Sequence, residues 1–137
     1  MRRVDLQKLS QNKLVSAQIL AASKHYSNAY YLAGYSLELA LKACVARMIS
    51  VDTIPDKNLI NRVYTHDIGQ LVGLAGLKTE FDDRAKSDNI FAANWAICSE
   101  WSPDHRYRDV SAAETTFLLV AIADEEHGVL PWIKNYW

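Results

Sequence analysis

Two short polar runs hold the side chains best suited to chemistry: Thr65-His66-Asp67 and His105-Arg106-Tyr107-Arg108-Asp109, each crowded against the start of a helix. Unpartnered backbone N–H groups at helix starts attract anions, and a nearby arginine grips phosphate through two parallel hydrogen bonds. His66 can donate or accept one hydrogen bond, Arg106 and Arg108 can hold phosphate, and Tyr107 offers a stacking face. These four are the candidate ligand-binding residues, the two helix starts facing one anion. The same residues also fit a structural role in which His66 fills a first turn, Arg106 or Arg108 pairs with Asp67 or Asp109, and Tyr107 closes the core. A third group, Tyr31, Tyr35, Glu38 and Lys42, is spaced by four, three and four residues, so that two phenols, a carboxylate and an ammonium share one line along a helix. That strip reads either as a solvated edge with a Glu38–Lys42 pair worth a few tenths of a kcal/mol, or as a groove or interface.

Other chemistries find no foothold. A carboxylate-bridged pair of metals needs two Glu-x-x-His segments; the chain has a single Asp124-x-x-His127, and no metal or other cofactor is expected. Cys44 and Cys98 sit on apolar stripes without Cys-x-x-Cys or Cys/His spacing and read as buried thiols of a reduced compartment. There is no Gly-x-Ser-x-Gly turn and no glycine-rich phosphate loop, and no catalytic residue is assigned. A net charge of −1 argues against a protein that coats nucleic acid, though not against a local basic site. The basic start lacks the apolar stretch of a signal peptide, and Glu38, Lys42 and Arg47 interrupt the longest apolar run, so a cytoplasmic protein with no membrane partner is expected.

The elements that must position these residues are helices. The 137 residues suit one domain, 1–137, with half of them hydrophobic. His25 to Ile49 reads as one helix that is apolar on almost every side and so belongs at the centre: Tyr26, Tyr30, Ala33, Leu37, Leu41, Cys44 and Met48 form one stripe, with Ala29, Leu32, Leu39, Ala40 and Ala43 opposite. A first helix, Val4 to Ala22, carries Leu6, Leu9, Lys13, Ala17 and Leu20 at helical spacing, and Ser23-Lys24-His25 permits only a tight antiparallel return. Ser50 to Tyr64 reads as a loop, with Pro55 blocking helix continuation. Thr65 is the expected N-cap of a short helix ending near Gly73 to Gly76. Thr79 starts the next, with Phe81, Ala85, Phe91, Ala92, Trp95 and Cys98 inward and a bend or division at Ser87 to Asn89. Ser102-Pro103-Asp104 stops it, HRYRDV is irregular, and Ser111 with Glu114 forms a capping box for a helix running toward His127, beyond which Gly128 and Pro131 leave Val129 to Trp137 as a last turn. No strand-like alternation appears, which makes the fold class all-α, an up-and-down bundle of about five helices.

In this order and spacing, the YSNAYYLAGYSLELALKA helix, the THDIGQL helix start and the Arg-Tyr pair before the last long helix resemble the HEPN family, the nucleotide-binding domains of higher eukaryotes and prokaryotes. The resemblance spans Leu14 to Asp124. It implies a HEPN-like bundle, a homodimer, and a small nucleotidyltransferase as partner protein in a toxin–antitoxin pair. Members that cleave RNA carry an arginine followed, after four to six residues, by a histidine, the two meeting across the dimer cleft. Here Arg62 and His66 are separated by three residues, and no other arginine has a histidine at the required distance downstream. What the resemblance carries over is therefore the fold, dimerisation, and a nucleotide or RNA site at His66, Arg106 and Tyr107, without the RNA-cleaving motif and without the partner group an efficient nuclease would place behind its histidine.

Two further functions fit the residues. One is a non-enzymatic protein-interaction or structural module that uses the Tyr31/Tyr35 strip and the aromatic tail of Trp132, Tyr136 and Trp137. The other is a ribonuclease with an atypical arginine–histidine pair.

Overall fold

Apolar residues at helical spacing give eight α-helices and one short 3-10 helix among the described residues, with no strand. The computed structural model describes residues 1–49 and 51–137. In chain order these are α1 (Arg3–Ala22), α2 (Tyr26–Met48), α3 (Lys57–Val63), α4 (Ile68–Leu74), α5 (Lys78–Ser87), α6 (Asn89–Ser99), the 3-10 helix Pro103–Tyr107, α7 (Ala112–Ala123) and α8 (Val129–Lys134).

Helix α2 is the axis of the molecule. Ala33, Leu37, Ala40, Leu41 and Cys44 are all buried, and the cluster they belong to extends to α4, α6, α7 and α8 through Leu71, Phe91, Leu118 and Ile133. Helix α1 returns antiparallel along it: Ser10 meets Ser36, while Leu6 shares a second cluster with Leu39 and Ala43. The residue that faces α2 at this crossing is Ser10 rather than the expected Leu9, which is exposed; the Ser10 hydroxyl donates to the buried carbonyl of Ser36 (2.7 Å), so a small side chain lets the two backbones approach.

The count of about five helices is corrected to eight, and each addition has a local cause. Within the expected loop, whose first residue Ser50 lies outside the described residues, the Asp56 carboxylate accepts the N–H groups of Asn58 and Leu59 and starts α3 directly after Pro55. The cap of α4 is Asp67, which accepts from Gln70 N–H, and not Thr65, whose hydroxyl accepts from Asp67 N–H one step earlier. Gly76, at φ +69°, then closes α4 as Leu77 N–H bonds back to the Val72 carbonyl. The division at Ser87 to Asn89 separates α5 from α6, with Asp88 capping the second helix through Phe91 N–H (2.9 Å). Pro131 lies in the first turn of α8, where its missing N–H costs nothing, so it does not interrupt that helix. The HRYRDV stretch is partly regular, its first residues completing the 3-10 helix.

The aromatic tail is also placed differently from the interaction reading. Trp132 is buried between Phe91, Phe81 and Tyr136, at ring-centroid distances of 5.3, 6.0 and 5.6 Å, and belongs to the core. Cys44 and Cys98 are free and buried, and desolvation pushes their thiols up to about 11 and about 12. No helix among the described residues is long and apolar enough to cross a membrane.

One ionic cluster fastens the α5–α6 corner to the turn before α8. His127 Nδ1 lies 2.8 Å from Asp88 Oδ2, Arg84 Nε donates to the same oxygen (3.1 Å), and the Asn94 amide donates to the His127 carbonyl (2.9 Å). The hydrogen bond to Asp88 raises the His127 pKa, and that same bond is the first cause of an Asp88 carboxyl held down at about 2. A histidine raised in the folded state stabilises below its unfolded pKa, near 6.5, and loses that contribution as pH rises through the folded value. The melting temperature of the parent is therefore expected to fall more than that of His127→Gln between about pH 6 and about pH 8. Parallel thermal melts check this; identical pH dependence in the two proteins would remove the ion pair from the account.

Candidate ligand-binding site

The polar strip of α2 is not a solvated edge. Glu38 is 1 % exposed and Lys42 7 %, with His66 against the first and Leu6, Leu59 and Val63 around the second. Lys42 Nζ donates to Glu38 Oε1 (2.7 Å), and the other carboxylate oxygen, Oε2, lies 2.9 Å from Nδ1 of His66, which the segment leading into α4 brings alongside. Both carboxylate oxygens are thus occupied. An ionised carboxylate only accepts hydrogen bonds, and an ammonium only donates them. With Lys42 on one oxygen, the ring must donate Nδ1–H to the other, which turns Nε2 of a neutral His66 into a free lone pair. The His66 side chain is 54 % exposed, and Nε2 has no hydrogen-bond partner among the described residues.

His66 borders a cavity of about 400 Å³ whose walls include Thr65, Asp67, Glu100, Trp101 and Ser102. Trp101 is buried between this cavity and α2. Its indole stacks on the backbone at Gly34, where a Cβ atom would fall 2.2 Å from the ring, so only glycine allows the contact. Tyr31 and Tyr35 pack on the same indole with centroids at 6.3 and 6.4 Å, and stack on each other at 6.0 Å. The Trp101 N–H is buried without a hydrogen-bond partner among the described residues. Tyr31 and Tyr35 are accordingly half-buried flanks of Trp101, while Glu38 and Lys42 lie beneath the surface; the four do not form one exposed groove.

The arginines lie further along the strip. Arg106, Tyr107, Arg108 and Asp109 border a second cavity of about 500 Å³ together with Ser27 and Asn28. The segment is held from both sides: Val110 N–H donates to the Ser27 hydroxyl (2.9 Å), and Ser102 N–H donates to His105 Nδ1 (3.1 Å), whose ring lies against Tyr30 at 4.8 Å. The Arg106 guanidinium lies 4.8 Å over the Tyr107 ring, and contact with the Tyr107 hydroxyl, then with Tyr31, raises its pKa above the usual arginine value. Tyr107 is 76 % exposed and closes no core. Arg108 pairs with Glu114 (3.2 Å), not with Asp67 or Asp109 side chains.

His66 and the arginines are therefore brought to the same strip of α2 but to separate cavities. Ten residues separate Asn28, beside the arginine cavity, from Glu38, beside His66, about 15 Å of helix. The picture of two helix starts facing one anion is corrected on two counts. Asp67 takes the Gln70 N–H of α4 and Ser111 takes the Glu114 N–H of α7, so each start is capped by its own side chain, and at α4 the cap places a carboxylate where the anion would sit. The partner behind His66, missing from the sequence reading, is Glu38, 28 residues earlier. Only a long-range signal could have found it, since the local spacing of Glu38 explains its bond to Lys42 alone. No family model, curated protein or solved structure matches the chain.

Proposed function

We propose that this chain is a HEPN-like helical module that binds a nucleotide or a short stretch of RNA along the α2 strip. The observation that carries this reading is the free Nε2 of His66, oriented by a buried Glu38–Lys42 pair at the mouth of a cavity that has the volume of a small-molecule site. A side chain buried at that desolvation cost merely to hold an exposed ring supports a functional role for the ring. In this reading Arg106 meets phosphate, with its charge free of any carboxylate partner among the described residues, and Tyr107 supplies an exposed face on which a base stacks. Arg108, paired with Glu114, contributes less. The proposal includes the homodimer and the small nucleotidyltransferase partner that the family resemblance implies.

Binding rests on one or two cations and is expected to be weak and salt-sensitive. Calorimetric titration with mononucleotides and short RNA should detect binding by the parent, and a loss of about tenfold or more in Arg106→Ala. Equal affinity in the two proteins, or no binding by either, would remove the site and leave partner binding ahead.

A second reading gains from one observation. A histidine backed by a carboxylate is an arrangement suited to proton transfer, so the Glu38–His66 pair favours an atypical ribonuclease over a purely interacting module, which loses its Trp132 anchor to the core. Appearance of cleaved RNA in the same samples, abolished in His66→Ala, identifies that case.

A further inference from the structure

We propose that Glu38, held by Lys42, is a positioning residue that makes His66 an acceptor rather than a donor, and that the site therefore selects a ligand by a ribose hydroxyl and not by phosphate at this point. The inference rests on the nucleotide-binding reading above and deepens it. Lys42 donates to Glu38 Oε1 and the ring donates Nδ1–H to Oε2, which on the neutral ring leaves the Nε2 lone pair as the group offered to the cavity. A phosphodiester oxygen of a strand has no proton to give to that lone pair. The cavity wall adds to the mismatch, because Asp67 and Glu100 place two carboxylates around the same space. Phosphate is better received at the Arg106 cavity, about 15 Å further along α2. A sugar hydroxyl can donate to Nε2, and it brings no charge into an acidic cavity. Of the groups on an RNA strand whose phosphate lies against Arg106, the ribose 2′-hydroxyl is the one that DNA lacks, so the arrangement discriminates the two.

Glu38→Gln tests the positioning role with little change in shape. In the variant the amide oxygen keeps the bond from Lys42 and the amide NH2 faces His66, so Nδ1 must accept and the proton moves to Nε2. The site then offers a donor where it offered an acceptor.

The experiment titrates the full chain with a short RNA, the DNA of the same sequence, and the 2′-O-methyl RNA, which keeps the oxygen and loses the proton. The parent is expected to bind RNA about tenfold more tightly than either analogue. In Glu38→Gln that preference should shrink to within about twofold, and the imidazole nitrogen resonances of His66 should report the Nδ1–H tautomer in the parent and the Nε2–H tautomer in the variant. Equal binding of RNA and 2′-O-methyl RNA by the parent overturns the inference, and so does an Nε2–H tautomer there; neither result needs the variant to fold. Binding of none of the three overturns the nucleotide-binding reading itself, and is distinguished from the former outcome by the absence of any heat.

Discussion

Lys42→Met is expected to lower the unfolding free energy by about 3 to 5 kcal/mol, the cost of leaving a buried charge without its counter-ion. The side chain removed is 7 % exposed and its ammonium lies 2.7 Å from a carboxylate that is itself 1 % exposed. Methionine matches the length of the lysine stem, so the loss reports charge and not volume. The companion Glu38→Leu/Lys42→Met removes both charges together and should recover most of the loss, because a buried ion pair often does no better than apolar residues of similar size. Denaturant unfolding of the three proteins checks this. A loss below about 0.5 kcal/mol in the single variant would return the pair to the surface role suggested by its spacing.

Leu41→Ala is the second large effect, about 2 to 5 kcal/mol. Leu41 is fully buried on α2, in the cluster that joins this helix to its neighbours, and truncation leaves a cavity there that close packing fills only in part. Val15→Ala on the exposed side of α1 provides the contrast, with an expected change within about 0.5 kcal/mol. Comparable losses at the two positions would contradict the central placement of α2.

These two helices mark how far the amino-acid pattern reaches. Local periodicity is enough to place α2 at the centre, because a helix apolar on nearly all sides can only be buried, and enough to pair it with α1, because three residues permit nothing but a reversal. The same logic misplaced Glu38 and Lys42. Periodicity assigns charged residues to the outside, and what keeps these two inside is their mutual neutralisation together with segments from elsewhere in the chain, His66 beside Glu38 and Leu6, Leu59 and Val63 around Lys42. Gly34 was the one local clue, a glycine mid-helix whose missing Cβ makes room for an indole 67 positions later. Trp132 and Tyr136 show the converse. Aromatics near the end of the sequence were read as a partner surface, but Phe81 and Phe91 on α5 and α6 supply the faces against which Trp132 packs, and Tyr136 closes on it. The candidate residues themselves, His66, Arg106 and Tyr107, were identifiable by type and by their position before helix starts. Their separation into two cavities follows from where the folded chain lays the two segments along α2, His66 beside Glu38 and the Arg106–Asp109 segment beside Ser27 and Asn28.

The central claim is that one ligand strand lies along the α2 strip from Arg106 to His66. Chemical-shift mapping of the labelled protein during titration with short RNA tests it most directly. The account predicts the largest changes at the His66 ring, the Trp101 indole N–H, Arg106 and Tyr107, with the Asp88–His127 corner unmoved. Changes confined to other faces, or none at His66 and Arg106 while the RNA binds, would contradict it.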